Sequence, residues 1–288
     1  MEYPEGPEEQ AAEAIGEPVN SHKDRFIVLL SHERSGSHFV TDLLASTGQV
    51  HSFDEVCNFN AVDPETAPAS FFGFRRRAQQ QDADILLRPS VDSSSRLLDG
   101  YLHHLTSLVG PRKKLLIDIK YGHVHNFEIG WWPSERRPFL IGWLARHDIP
   151  VLHLTRHSSV AAAVSNLIAE KTQIWHRKEE LREHPRVRIA VQRAVHEALL
   201  VEREKDNYFN WLTGVRHLPL EYEQIAGNKS DRDAVMARAC DFIGVTAPEE
   251  FHSSRYKVTA PLSEAVENYA DLLRCVQLFG NGRLRLDT

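Results

Sequence analysis

Cysteine, long apolar runs and excess positive charge are all scarce in this chain of 288 residues. The three cysteines (Cys57, Cys240 and Cys275) cannot all pair, and no two have metal-ligand spacing, so we expect free thiols in a reducing compartment. No apolar run approaches the roughly 20 residues needed to span a bilayer. The formal net charge of −6 argues against a dedicated binder of nucleic acids or anionic membranes, because such proteins need a basic face.

The N-terminal segment also lacks a secretion signal. It is acidic and rich in proline and glycine, without the cationic start and apolar core of a signal peptide. We therefore expect residues 1–22 to be a disordered extension, and the protein to be cytoplasmic without a membrane span. We expect residues 23–288 to form one large domain. The chain is 42% hydrophobic, which is enough to bury the core of a domain of that size.

The chain does contain an alternation of apolar runs with helical patterns. Strands are predicted at Arg25–Leu30, Leu115–Ile119, Val151–Leu154 and Leu218–Tyr222, and helices over 138–147, 158–170 and 231–243, the last ending at Gly244. Continuous apolar runs are typical of strands buried on both faces. The pattern predicts an α/β fold of three layers, with a central parallel β-sheet flanked by helices. The segment Cys57–Arg88 has mixed composition, and we expect it to lie on the surface.

The loop Ser31–His38 joins the first predicted strand to a helical pattern. A loop in this position directs backbone N–H groups and the positive end of the helix dipole at one point, which makes an anion site. Gly36 permits close backbone approach, and Ser35 and Ser37 add hydroxyl donors. Arg34 adds a permanent charge with a planar set of donors. The sequence therefore predicts a phosphate-binding loop.

An ATP-type P-loop, G-x-x-x-x-G-K-[ST], is the alternative for this loop. When its second glycine is placed on Gly36, its first glycine falls on Ser31, its lysine on Ser37 and its magnesium-binding hydroxyl on His38. Three of the four defining positions fail. We interpret the loop as P-loop-like but working without Mg²⁺, so no metal site is expected.

A second candidate phosphate site follows the strand Val151–Leu154. Arg156 comes just after that strand, and Ser165 lies nine residues further on, inside the next predicted helix. A guanidinium at a strand end and a serine two turns into the following helix can converge on one phosphate. At a spacing of eight, the residue in the position of Arg156 would be His157, and that alternative stays open.

The two sites resemble those of the sulfotransferases that use PAPS (3′-phosphoadenosine 5′-phosphosulfate). The loop is similar to the family's 5′-phosphosulfate loop, P-[KR]-S-G-[ST], over residues 34–37, and departs from it at Glu33 and His38. Arg156 and Ser165 are similar to its 3′-phosphate site. Residues 166–176 resemble the bacterial carbohydrate branch, of nodulation-factor and trehalose type. The resemblance extends over residues 25 to about 273.

The resemblance implies an enzyme that transfers a sulfuryl group from PAPS to a hydroxyl, with a carbohydrate or glycolipid as the expected acceptor. It implies no metal and no nucleic-acid partner, and a homodimer is one expected form because dimers are common in that branch. PAPS would be bound by Arg34, Ser35, Gly36, Ser37, His38, Arg156 and Ser165.

Sulfuryl transfer needs a base for the hydroxyl proton and cations for charge on the oxygens. The resemblance implies a glutamate base shortly after the first helix, where Glu55 lies beside its rival Asp54. Histidine is the base elsewhere in the superfamily, and the candidates in this chain are His123 and His125. The candidate catalytic cations are Arg34 and Lys120, at the end of the second apolar strand.

Two other functions stay open at this point. One is a nucleotide kinase or NTPase with a degenerate P-loop, which would require Mg-ATP. The other is a non-catalytic protein that binds a nucleotide or glycan. Trp131, Trp132 and Trp175 are candidates for a wall against which a sugar stacks.

Overall fold

The computed structural model describes residues 22–60, 63, 66–128, 136–175, 186–254, 260–280 and 282–286. Its five strands are β1 (Phe26–Ser31), β2 (Val50–Ser52), β3 (Lys114–Lys120), β4 (Val151–Thr155) and β5 (His217–Glu221). They form one sheet in the order β2-β3-β1-β4-β5, and every neighbouring pair is parallel. The prediction of an α/β fold around a central parallel sheet is confirmed.

The helices pack around this sheet. They are α1 (His22–Arg25), α2 (Ser37–Ala45), α3 (Phe71–Gln81), α4 (Asp84–Leu87), α5 (Val91–Val109), α6 (Phe139–Arg146), α7 (Ser159–Thr172), α8 (Val191–Trp211), α9 (Tyr222–Ala226), α10 (Lys229–Ile243), α11 (Leu262–Ala265) and α12 (Tyr269–Phe279). A 3-10 helix, Tyr121–Phe127, follows β3 directly. In the part of the chain that the structure describes, no helix combines the length and apolar character that crossing a bilayer requires.

The central strand β1 is buried along its whole length. Because successive side chains of a strand point to opposite faces, Val28 and Leu30 enter one apolar core with α5 and α6. Ile27 and Leu29 enter a second core with α2 and α10. The sheet thus lies between two layers of helices, and the three-layer prediction is confirmed.

The four predicted strands are all present, each with ends displaced by no more than one residue. The fourth predicted strand, β5, ends one residue earlier than predicted, because Tyr222 begins α9. Gly244 caps α10 in the left-handed conformation, at φ 69°, as its position after the apolar periodicity predicts.

The prediction that Cys57–Arg88 lies on the surface was wrong for part of that segment. Cys57 is fully buried, and α3 inserts Phe71 into the core, where its ring lies 5.1 Å from that of Tyr101 and 4.6 Å from that of Phe127. The composition of the segment hides these anchors because polar residues surround them. The disordered extension predicted at residues 1–22 lies outside the described residues, except for His22, which begins α1.

Candidate functional site

The site forms where the carboxyl ends of β1, β3, β4 and β5 meet. These strands are parallel neighbours, and Ser31 at the end of β1 pairs with Lys120 on one side and Leu154 on the other. On the far side of β4, Thr155 pairs with Glu221. Residues that follow these strand ends therefore lie at one edge of the sheet, which is where parallel α/β sheets bind ligands.

The loop between β1 and α2 turns at Gly36. This residue has φ 86° and forms the N-cap of α2 without a side-chain cap hydrogen bond. A Cβ atom on Gly36 would lie 2.4 Å from Cδ2 and Cε2 of Tyr222, so a side chain is excluded by contact as well as by backbone conformation. Tyr222 therefore packs directly against the loop. The first N–H groups of α2 begin at this point, and the start of a helix is a place where an anion can bind.

Arg34 connects the loop to α7. Its Nε and Nη2 atoms both donate to the hydroxyl oxygen of Ser165 at 3.2 Å, and its Nη1 donates to the carbonyl oxygen of Trp175 at 2.8 Å. Arg34 holds φ 61°, a conformation uncommon outside glycine. The two predicted phosphate sites therefore meet through one guanidinium.

Arg156 reaches the same place from the end of β4. Its Nη1 donates to the backbone carbonyl of Arg34 at 3.3 Å, and its guanidinium lies 5.2 Å from the ring centroid of Tyr222, a cation–π contact. Burial lowers the pKa of Arg34, and the positive charge of Arg156 lowers it further. We call Arg34, Arg156, Ser165 and Tyr222 the arginine cluster.

Lys120 forms a second cluster on the other side of the loop. This lysine is 2% exposed, and its Nζ lies 2.6 Å from Oδ2 of Asp118 and 3.2 Å from Oε1 of Glu55. The same ammonium donates to Oγ of Ser37 at 2.6 Å, which ties it to the first residue of α2. His38 Nε2 lies 3.4 Å from Oε1 of Glu55. We call Lys120, Asp118, Glu55, Ser37 and His38 the lysine cluster.

One ammonium faces two carboxylates inside the lysine cluster. Burial alone would lower the pKa of Lys120, but the negative charges of Asp118 and Glu55 outweigh burial and hold that pKa above its ordinary value. Burial alone would likewise raise the pKa of Glu55. Hydrogen bonds from His38 and Asn58 and the charge of Lys120 outweigh that effect and hold the carboxyl pKa well below its usual range. The cluster therefore holds an ionised carboxylate against an ammonium at neutral pH.

The other predicted candidates lie outside these hydrogen bonds. His123, on the 3-10 helix after β3, is half-buried, and no hydrogen bond or ion pair joins it to either cluster among the described residues. His125 instead faces Glu128, with Nδ1 to Oε1 at 3.2 Å. Asp54 is largely exposed, and its Oδ1 lies 3.9 Å from Nδ1 of His38.

The question of register between Arg156 and His157 has a geometric answer. His157 faces the carboxylates of α9 and the end of β5, with Nε2 3.5 Å from Oε2 of Glu221 and its backbone N–H donating to Glu223. Arg156 is the residue that faces the loop. Ser35 is buried inside the loop. Of the proposed tryptophan wall, Trp175 is partly exposed, whereas Trp131 and Trp132 lie outside the described residues.

Sequence reasoning missed Asp118 and the role of Tyr222. A signal for Asp118 was present, because a lone carboxylate in the apolar run Leu115–Ile119 lies two residues before Lys120. Residues two apart in a strand share a face. Tyr222 carried no comparable signal, because only the folded chain brings the end of β5 against Gly36.

The residues present fit a ligand with two anionic groups. The loop offers the start of α2 at Gly36, and Oγ of Ser31 is fully buried, with no hydrogen-bond partner in the described part of the chain. Among the described residues, the hydrogen-bond acceptors of Arg34 are a hydroxyl and a carbonyl, both neutral. Arg34 lies in the loop and Lys120 lies beside it. An anion near Arg34 would gain charge-assisted hydrogen bonds, whereas the ammonium of Lys120 already faces Ser37, Asp118 and Glu55.

Neither the protein-family models nor the curated proteins contain a match to this chain. Solved structures that resemble it include the sulfotransferase domain from the curacin biosynthetic pathway, a sulfotransferase from Alicyclobacillus acidocaldarius and the sulfotransferase domain from the Synechococcus PCC 7002 olefin synthase. Their TM-scores are 0.45, 0.42 and 0.44, and their sequence identities are 15%, 13% and 17%. The alignments cover 81%, 88% and 94% of this chain and 78%, 94% and 98% of the others. At TM-scores this low, the likeness carries no argument about the activity of this protein.

Proposed function

We propose that this protein is a sulfotransferase that moves the sulfuryl group of PAPS to a hydroxyl of an acceptor. The observation that supports it best is the contact between Arg34 and Ser165, two residues 131 positions apart that join the phosphate loop to α7 at 3.2 Å. A nucleotide with one phosphate on the ribose and another on the 5′ side needs two adjacent anion sites of this kind. When bound, PAPS would supply an activated sulfuryl group on a phosphate leaving group.

The contacts divide the work between the two clusters. Arg34 and Arg156, with the hydroxyl of Ser165, would hold the 3′-phosphate. The start of α2 would hold the 5′-phosphate through its N–H groups. Lys120, tied to Ser37 at 2.6 Å, would stabilise charge that develops on the leaving oxygen. This differs from the expectation that Arg34 serves the sulfuryl end, because its hydrogen bonds go to Ser165 and Trp175.

Glu55 is the proposed base. It is the carboxylate that contacts both Lys120 and His38, and it is ionised over the neutral range. Its low pKa makes it a weak proton acceptor towards a free hydroxyl, so it would take the proton only as the oxygen bonds to sulfur and becomes acidic. Replacement of Glu55 by Gln should lower kcat by about 10² to 10⁴ and leave PAP affinity little changed.

The matched control for the base is His123→Gln, which should retain turnover. The reverse result, with His123→Gln inactive and Glu55→Gln active, would assign the base to His123.

The proposed acceptor is a sugar hydroxyl. The indole of Trp175 is partly exposed, and the backbone carbonyl of the same residue accepts a hydrogen bond from Arg34, so an aromatic surface for a sugar lies beside the site. A panel of sugar, lipid and phenolic acceptors with labelled PAPS tests this, and Trp175→Ala should raise KM for sugars alone.

The nucleotide assignment is tested by calorimetric titration with PAP. Arg34→Ala and Arg156→Ala should each weaken binding by about 10- to 100-fold, the effect of a lost hydrogen bond to a charged group. Arg216 provides a matched control, because its guanidinium also lies over an aromatic ring, 5.3 Å from the centroid of Phe242, and donates to a carbonyl away from the loop. Unchanged PAP affinity in both cluster variants, or Mg-ATP binding as tight as PAP binding, would overturn the proposal.

A further inference from the structure

Asp118 is a carboxylate in an environment where carboxylates are rare. It lies in β3 between Ile117 and Ile119, it is fully buried, and its Oδ1 has no hydrogen-bond partner among the residues that the structure describes. Its other oxygen lies 2.6 Å from Nζ of Lys120. Burying a carboxylate with one unsatisfied oxygen costs free energy of desolvation. The contact that can offset this cost is the ion pair with Lys120.

The groups around Lys120 are those that bind divalent cations. One ligand-type atom from each of His38, Glu55 and Asp118 lies within 4.8 Å of the other two, a grouping that could hold a metal ion. Imidazole and carboxylate ligands of this kind suit Mn²⁺ or Zn²⁺. The ammonium of Lys120 lies within hydrogen-bonding distance of two of the three residues, at 2.6 Å from Asp118 and 3.2 Å from Glu55.

The position of this grouping relative to the loop is informative. His38 stands where an ATP-type P-loop has its magnesium-binding hydroxyl, and Ser37 stands where that loop has its lysine. Here the ammonium comes from β3 instead, and it donates to Ser37 at 2.6 Å. The cation beside the loop is thus a side chain of the protein, Lys120. It forms an ion pair with Asp118 on the same strand, β3.

We propose that Asp118 is a positioning residue that fixes the ammonium of Lys120 as a built-in cation beside the anion-binding loop, in a place where His38, Glu55 and Asp118 would otherwise take a divalent metal ion. The placement of this cation deepens the proposed sulfuryl transfer, because only a fixed charge stabilises developing negative charge without reorganisation. The cation position itself is a property of the folded chain and is testable without any turnover.

The decisive experiment removes the ammonium and supplies a metal. In Lys120→Ala the space among the three ligand groups is open, so this variant should bind one Mn²⁺ at least about tenfold more tightly than the unmodified protein, as read by loss of the free Mn²⁺ signal in electron paramagnetic resonance. Lys120→Met is the matched control, because its long apolar side chain fills the space and should give no such gain.

A second step tests Asp118 itself. Adding Asp118→Asn to Lys120→Ala should weaken Mn²⁺ binding by about tenfold or more, since a charged ligand is lost. Folding of each variant is checked by circular dichroism and thermal unfolding. Folded Lys120→Ala without gained Mn²⁺ affinity would overturn the inference, and so would a double variant that binds Mn²⁺ as tightly as Lys120→Ala.

A separate readout serves if Lys120→Ala does not fold. In Asp118→Asn, Lys120 keeps Glu55 and Ser37 but loses the negative charge of its strand partner, so an amine-directed reagent should label Lys120 several-fold faster than in the unmodified protein, as mapped by mass spectrometry. Unchanged labelling would overturn the positioning role. With PAPS, Asp118→Asn should lower kcat more than it raises KM. A chain with no sulfotransferase activity at all would contradict the proposed function, whereas the Mn²⁺ and labelling results would still decide the role of Asp118.

Discussion

The lysine cluster and the arginine cluster flank the same loop but handle charge in opposite ways. Lys120 is held by two carboxylates, Asp118 and Glu55, so its charge is compensated inside the protein. Arg34 donates to a hydroxyl and a carbonyl, and the nearby charge of Arg156 lowers its pKa. Lys120 thus faces carboxylates of the protein itself without any ligand, whereas the hydrogen-bond acceptors of Arg34 among the described residues are neutral.

This difference indicates what each cluster is built for. A cation that sits among neutral acceptors and beside a second cation gains most from an incoming anion, so the arginine cluster suits binding. A cation fixed by the buried Asp118 and the partly buried Glu55 has little left to gain from binding, but it presents its charge in one orientation. That property suits stabilisation of charge that appears only during a reaction. Four substitutions test this division, beginning with the largest expected effect.

Lys120→Met should separate reaction from binding most clearly. We expect kcat to fall by about 10³, the usual cost of removing one preorganised donor, while PAP affinity changes by no more than about threefold. Steady-state kinetics with labelled PAPS and calorimetry with PAP measure the two quantities on the same preparation. An equal loss of kcat and of PAP affinity would mean that the lysine cluster is a binding site like its neighbour.

Gly36→Ala should disturb both clusters at once, because Tyr222 occupies the space that a Cβ would need. We expect the free energy of unfolding to drop by about 2 to 4 kcal/mol, from the left-handed backbone and the overpacked contact together. Gly48→Ala is the matched control, since Gly48 has φ 70° but no atom within 4 Å of the added Cβ. Equal losses in urea unfolding of the two variants would show that the Tyr222 contact costs nothing.

Glu55→Gln should make the lysine cluster less sensitive to acid, with Asp118 as its remaining carboxylate. The folded pKa of Glu55 is lowered, so its contribution to stability is complete above the ordinary carboxyl range and is lost as the pH falls below it. We expect the variant to be less stable by about 1 to 3 kcal/mol at pH 7, and the difference to shrink steadily below about pH 4.5. A difference that is constant from pH 7 to pH 3 in urea unfolding would contradict the ion pair.

Ser165→Ala should have the smallest effect and should act on binding alone. The hydroxyl accepts both hydrogen bonds from Arg34, so its loss should weaken PAP binding by about fivefold, or about 1 kcal/mol. Turnover at saturating PAPS should stay within about twofold. A fall in kcat with unchanged PAP affinity would place Ser165 in the chemistry and would blur the distinction between the clusters.

The sequence predicts the frame of the site well. The strands β1, β3 and β4 are mostly apolar, interrupted by Asp118 in β3 and His153 in β4. Their ends bring Arg34, Lys120 and Arg156 to one edge of a parallel sheet by topology alone. Glu55 was placed by resemblance, and the structure brings it within 3.2 Å of Lys120. The strand predictions rest on local patterns, because burial on both faces is visible in consecutive residues, whereas the roles of the site residues stay predictions.

What the sequence could not provide depends on contacts distant in the chain. The short strand β2, which positions Glu55, is only three residues long and has no periodicity to detect. Tyr222 was predicted to end the strand Leu218–Tyr222, but it begins α9 and packs against Gly36. Asp118 stood in an apolar run as an isolated charge, and its partner could be recognised only once strand geometry was assumed.

The ring of Tyr222 contacts two parts of the candidate site, Gly36 in the loop and the guanidinium of Arg156. One side fills the space beside Gly36, and the other lies under the guanidinium of Arg156 at 5.2 Å. A shift of the loop backbone at Gly36 would therefore press on this ring, which also contacts Arg156. Binding of a fragment at one half of the site would for this reason alter the affinity of the other half for its own fragment, and Tyr222 would be the residue that couples them.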